Sequence, residues 1–222
     1  MDEKGAFLAP IREALGYPRE EVRTAGQCRG IFSHGDDSAI CDRVKYRTHV
    51  EKQSLLQTMT ENAGPLNLGV HPVSSLAGAA DAIVDIILAA EPEFGDTRQI
   101  IEHDDDDITR LQLWKRFAGK AVTVHTTYHA DAAVREKAIA SYVGLTAPRW
   151  AIADSATIVE ITGPGKPRST SLLPSVHIAL LRIENLLADL GEAYALLHRN
   201  PPPQSFLFIS GPSKTADIEA HM

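Results

Sequence analysis

From residue 98 to residue 210, short β-branched or apolar runs alternate with longer stretches of helical spacing. "RQIIEH", "KAVTVHTTY", "RWAIADSATIVEIT", "SVHIALLRI" and "SFLFIS" read as strands. "DDDDITRLQLWKRFAG", "DAAVREKAIASYVG" (stopped at Gly144) and "ENLLADLGEAYALLHR" read as helices. Parallel strands need a crossover long enough to return the chain to the same end of the sheet, and a helix supplies it. The alternation therefore predicts an α/β fold, an open and mainly parallel sheet flanked by helices. Residues 155–180, two strands around a Pro/Gly turn, read as an antiparallel insertion into that sheet.

Upstream, Leu55, Leu56 and Met59 share one helical face in a run from about Val50 that Gly64-Pro65 ends. Ser74 or Ser75 is placed to cap a second helix, "LAGAADAIVDIILAA". Residues 1–48 read as an irregular N-terminal segment, with a short helix around 7–15, packing on one domain of residues 49–222. A chain of 222 residues buries roughly 70% of its unfolded surface, enough for its own core.

Charge excludes more than it assigns. The net charge is −7 and the basic residues are scattered, so the chain lacks the basic stripe of a nucleic-acid binder. No apolar run is long enough to span a membrane, and the acidic start "MDEKGAFLAP" does not read as a signal peptide. The expectation is a soluble, cytoplasmic protein. Cys28 and Cys41 are the two cysteines. They cannot supply the four thiolates of an iron–sulfur cluster or a structural zinc site. His125 and His129 are four apart but straddle a strand end, and His103 precedes four aspartates that suit a helix start, so no metal site is expected.

The candidate site sits at the end of the last strand. "FLFISGPSKTADIE" has the layout of a strand, a Gly-Pro turn and a helix start. Gly211 permits a tight turn, Ser213 or Thr215 can cap, and free amide N–H groups with the Lys214 ammonium would attract an anion. A plain capping turn explains the same residues. The lysine and threonine of a P-loop are present, but its glycines are absent at the required spacing. The "TGPGKPRSTS" turn carries Lys166 and Arg168 on a Gly/Pro loop that is either a solvated hairpin or a cover over an anionic ligand. His177, in an apolar strand after Pro174, is the histidine expected to be buried. The candidate ligand-binding set is Ser210, Gly211, Ser213, Lys214 and Thr215, faced by His177 and Arg168.

The stretch from Ala153 to Thr157, the Gly163 to Arg168 turn, Pro174 to His177, and "SGPSKTADIE" (Ser210 to Glu219) resemble the motifs of the lactate utilization (LUD) domain family, in its lactate utilization protein C branch. The resemblance is clear over residues 150–219. It implies a fold like that of the NagB/RpiA/CoA-transferase group. It also implies a role in oxidising L-lactate to pyruvate beside two partner proteins that carry iron–sulfur clusters. The chain itself would hold no cofactor. A family glycine is Ala156 here, and the final strand usual after "DIE" is missing, which would leave a sheet edge open. The expected function is an accessory, non-redox subunit with an anion-accepting pocket. The alternatives are a stand-alone enzyme acting on a sugar phosphate or CoA ester, by fold analogy alone, and a small organic acid sensor.

Overall fold

A computed structural model of the chain describes residues 3–14, 37–93, 97–128, 131–199 and 205–212. The chain divides into two units, Met1–Asp37 and Ser38–Met222. In the first, α1 spans Glu3–Ala14. All that follows concerns the second, and it includes Ser38–Lys45, a helix (α2) within the stretch expected to be irregular.

Helix α3 (His49–Ala63) starts at a capping box: the Thr48 side chain accepts from the Glu51 amide, while the Glu51 carboxylate accepts from the Thr48 amide at 2.7 Å. A 3-10 turn, Gly64–Leu66, closes it. Ser75 caps α4 (Leu76–Ala89), as its position before the apolar run indicated. There follow β1 (Arg98–His103), α5 (Asp106–Leu111), α6 (Leu113–Arg116), β2 (Val122–Thr127), α7 (Val134–Ala140), β3 (Val143–Thr146), β4 (Trp150–Ile152) and β5 (Thr157–Ile161). The chain continues through α8 (Ser169–Leu172), β6 (Val176–Ala179), a 3-10 turn (Ile183–Asn185), β7 (Leu186–Leu187), α9 (Leu190–Arg199) and β8 (Phe206–Ile209).

The strands form two sheets. One is wholly parallel, in the order β2-β1-β3-β6. The second, in the order β7-β4-β5-β8, is mixed: β5 runs antiparallel to both β4 and β8, and β7 runs parallel to β4. The α/β class and the parallel sheet thus stand, and the antiparallel strands make a sheet of their own. Of the two strands expected in the insertion, β5 lies there and β6 joins the parallel sheet beside β3.

Three readings of the sequence need correction. The helix expected to run to Gly144 ends at Ala140, and Val143–Thr146 is a buried strand. The helix expected from 104 is broken at Gln112, which adopts a left-handed conformation (φ 50°). The helix expected from Glu184 starts only at Leu190, after the short strand β7.

Three apolar clusters hold these layers. Ala80, Ile83 and Ile87 of α4, with Ile108, Leu111, Leu113 and Phe117, cover one face of the parallel sheet at Ile100, Val143 and Leu145. Met59 and Ala63 of α3 pack on Ala151 and Ile158 of the second sheet, and Ala193 and Leu197 of α9 cover its other face at Trp150, Ile152 and Val159. The remaining face of the parallel sheet carries Ile101, His103, Thr127, Gly144, Thr146 and His177, since period-two alternation fixes which residues share a face. Short helix α8 lies directly on it: a Cβ on Gly144 would stand 1.8 Å from the Thr170 carbonyl oxygen. Gly144 is there to admit that helix.

Candidate functional site

The strand order reverses at β1, with β2 on one side and β3 and β6 on the other. In open sheets the crevice beyond the carboxyl ends of the strands at such a switch point is where ligands bind. Here β1 ends in Glu102 and His103, β2 in Thr127 and β3 in Thr146, all buried. Polar residues at the ends of apolar strands need partners, and a strap of residues 163–168 provides several. The Gly165 carbonyl accepts from the Asp104 amide at 3.0 Å and from the Thr127 hydroxyl at 2.6 Å. Lys166 pairs with Asp105, the residue whose side chain caps α5. Gly165 has φ +71°, and a Cβ there would lie 2.8 Å from the Asp104 Cβ, so both conformation and space demand glycine.

Beneath the strap, two histidines and a glutamate converge from three strands. His177 of β6 lies with its Nε2 2.8 Å from the Thr146 hydroxyl and 3.3 Å from Oε1 of Glu160. Glu160 of β5 accepts from the Ser171 hydroxyl of α8 at 2.7 Å. Burial pushes the Glu160 carboxyl up, but the polar neighbours His177, Thr146 and Ser171 outweigh it and hold the group below the ordinary carboxylate range. It is a fixed negative charge in a nearly closed site.

His103 of β1 contacts the Pro167 carbonyl oxygen through Nε2 at 3.3 Å. A carbonyl only accepts, so Nε2 carries the hydrogen and Nδ1 presents a bare lone pair. Burial lowers the pKa of this ring, partly opposed by the Glu160 charge and the Pro167 carbonyl, so the imidazole is neutral at pH 7. Its neighbour Glu102 points to the opposite face of the sheet, where Oε1 accepts from Thr126 at 3.1 Å. Burial raises the Glu102 pKa to about 7. Adjacent residues thus place a neutral base and a half-protonated acid on the two faces of one strand end, and such perturbed pairs mark sites of proton chemistry or ligand contact.

The residues singled out in the sequence fall in two places. His177 belongs to the buried cluster, and Arg168 is exposed at the start of α8. Ser210 and Gly211 lie at the other end of β5, where the Ser210 hydroxyl meets the Thr157 hydroxyl at 2.7 Å and Gly211 (φ +83°) packs against Leu66. Among the described residues strand β8 is an edge of the mixed sheet, paired with β5, and does not lie within the parallel sheet. Glu160 is three residues along β5 from Thr157, so about 10 Å separates the two places. Ser213, Lys214 and Thr215 lie outside the described residues, as do Cys28 and His129. His125 bonds to Gln99 across β1 and β2 at 2.9 Å. Among the described residues no group of three or more His, Cys, Asp or Glu side chains is arranged to hold a metal ion. No described helix is long and apolar enough to cross a membrane.

The sequence reading missed Glu102, His103, Glu160 and Ser171 as a group. The available signals were a glutamate inside the apolar run "TIVEI" and an acid–histidine pair ending "RQIIEH", both unusual inside buried strands.

The chain is similar to several known proteins. The chain is 27% identical over 229 residues to lactate utilization protein C of Halalkalibacterium halodurans, covering 100% of this chain and 92% of that protein. It is 26% identical to the same-named protein of Shouchella clausii, covering 99% and 90%. It is also 26% identical to the uncharacterized protein YkgG of Escherichia coli, covering 99% and 91%. A crystal structure of a DUF162 family protein from Deinococcus radiodurans matches 74% of this chain and 89% of that one, with a TM-score of 0.48 and 17% identity. The profile of the LUD domain matches residues 56–222, a span that holds both sheets and every residue of the buried cluster, and so the chain belongs to the LUD domain family.

Proposed function

We propose that this protein serves lactate utilization in the cytoplasm, as an accessory subunit that carries no redox centre and works beside iron–sulfur partner proteins. The observation that supports this most is the end-to-end match to proteins named lactate utilization protein C. The sequence adds a second support. Two cysteines cannot ligate a four-thiolate cluster, and Cys41 is buried with its thiol directed at the Ala195 carbonyl. Electrons from lactate would therefore travel on the partners, and this chain would contribute binding and orientation of a small carboxylate.

The carboxylate would be met at the carboxyl edge of the parallel sheet, with His177 below and Arg168 at the rim. The Ser210, Gly211, Ser213, Lys214 and Thr215 turn would form a separate anion-accepting element, because a ligand of lactate's size does not bridge about 10 Å of strand. The test is genetic and biochemical. A host lacking its own lactate utilization protein C should fail to grow on L-lactate as sole carbon source, and this chain should restore growth and co-purify with iron–sulfur proteins. Failure of this chain to restore growth where the host's own protein does, or turnover of phosphosugars by the isolated chain, would reject the reading.

A further inference from the structure

Four buried side-chain atoms among the described residues lack a hydrogen-bond partner: Glu102 Oε2, His103 Nδ1, Glu160 Oε1 and Thr170 Oγ1. Native proteins leave few such atoms, and each calls for a cause. Three of the four, from His103, Glu160 and Thr170, belong to side chains gathered under the strap at the β1/β3 crevice. His103 is 2% exposed, Glu160 2% and Thr170 0%. They come from β1, β5 and α8, so their meeting is a product of the fold. Glu160 Oε1 makes the 3.3 Å ion-pair contact with His177. His103 Nδ1 and Thr170 Oγ1 have none within bonding reach.

The chemistry of these atoms restricts what can satisfy them. With Nε2–H committed to Pro167, Nδ1 can only accept, whereas the threonine hydroxyl can donate as well as accept. A guest that donates one hydrogen to His103 and accepts one from Thr170 meets both needs, and that is the pattern of an alcohol. A carboxylate fits poorly, since it has no hydrogen to give and Glu160 already places a negative charge there. The guest's charged end would stay outward, where Arg168 is exposed at the end of the strap.

We propose that His103 and Thr170, under the strap of residues 163–168, form a receptor for the hydroxyl group of a small 2-hydroxy acid. Glu160 and His177 orient the pocket wall, and the carboxylate of the ligand faces solvent. The 3.3 Å contact between His103 and Pro167 stays in place and keeps Nδ1 the acceptor. The proposal rests on the lactate reading above and deepens it by naming the hydroxyl as the recognised group.

Calorimetry on the full chain with L-lactate and with propionate, which lacks only the hydroxyl, tests it. L-lactate should bind about tenfold or more tightly than propionate, as expected when a buried polar site loses its partner. His103→Gln keeps a donor at the Nε2 position and removes the Nδ1 lone pair, so the preference should vanish. The ¹⁵N resonance of His103 Nδ1 in the unaltered protein, which a purely structural histidine would leave unmoved, should shift on adding L-lactate and not on adding propionate. That measurement decides the matter even should the variant fail to fold. Equal affinities, no binding of L-lactate, a preference surviving in His103→Gln, or a still resonance would each overturn the proposal. A crevice that holds only a buried water gives the same result. Growth data separate the two ideas: restored growth without a hydroxyl preference removes only the receptor, and failure to restore growth removes the physiological role while leaving measured binding intact.

Discussion

Glu102 is a carboxyl group placed where a carboxylate costs most. It is 5% exposed, one oxygen has no partner, and the single hydrogen bond from Thr126 does not offset desolvation. Its pKa rises from 4.5 to about 7. Between those values the folded chain holds a proton that the unfolded chain has released, so stability falls as pH rises through this window and is flat beyond it. At about 1.4 kcal/mol per pH unit the full penalty is on the order of 3 kcal/mol. His103 acts in the opposite sense. Its depressed pKa means that the unfolded state takes up a proton first as pH drops below 6.5, and stability is lost toward acid. Glu102→Gln leaves the histidine contribution in place, so the difference between variant and parent isolates the carboxyl. Urea unfolding should find the two alike near pH 4.5 and the variant more stable by about 2 kcal/mol at pH 8. A pH-independent difference would show that Glu102 does not titrate in this range.

At the scale of elements, the contact between α8 and β3 fixes the roof of the site. Gly144→Ala would put a methyl group 1.8 Å from the Thr170 carbonyl oxygen, and backbone on both sides leaves no flexible side chain to yield. The expected cost is about 3 kcal/mol, at the upper end for overpacking, read as a lowered urea midpoint with unchanged slope. A shift under about 0.5 kcal/mol would mean that α8 is free to lift. The same glycine shows where the sequence was legible and where it was not. Strands β1, β2 and β8 announce themselves by β-branched and aromatic runs bounded by turn residues. Strand β3 has four residues, all buried, and neither period two nor period 3.6 can show in so short an apolar piece. Its glycine reads locally as a helix stop, although its cause is a helix more than 20 residues downstream. Gln112 breaks α5 from α6 without any Gly or Pro signal. The site is harder still. His103 and His177 share the parallel sheet and Glu160 reaches them from the mixed one, a meeting that single-sequence periodicity does not encode.

At the scale of the whole second unit, two sheets with separate apolar clusters must be held to the helices that precede them, and one buried charge contributes much of that tie. Glu192 of α9 is 0% exposed. Its Oε2 accepts from the Ala188 amide at 2.7 Å, while Asp189 accepts from the Glu192 amide at 2.9 Å, so the pair caps the helix. Its Oε1 takes the Arg47 guanidinium at 2.6 Å and the more exposed Arg43 at 3.1 Å. Arg47 also donates to the Leu186 carbonyl of β7 at 3.1 Å. A side chain between α2 and α3 thus binds a strand and a helix about 140 residues away. Removing one member of a buried pair strands the other, which costs more than the pair contributes. Arg47→Met keeps most of the apolar stem and should destabilise the chain by about 3 kcal/mol, the low end for such pairs because Arg43 still reaches the carboxylate. In the double variant Arg47→Met/Glu192→Gln the stranded charge is gone, and stability should lie above the sum of the single losses by about 1 kcal/mol or more. Additive losses would mean that the two residues act through separate contacts, the arginine on β7 and the glutamate on its own helix start.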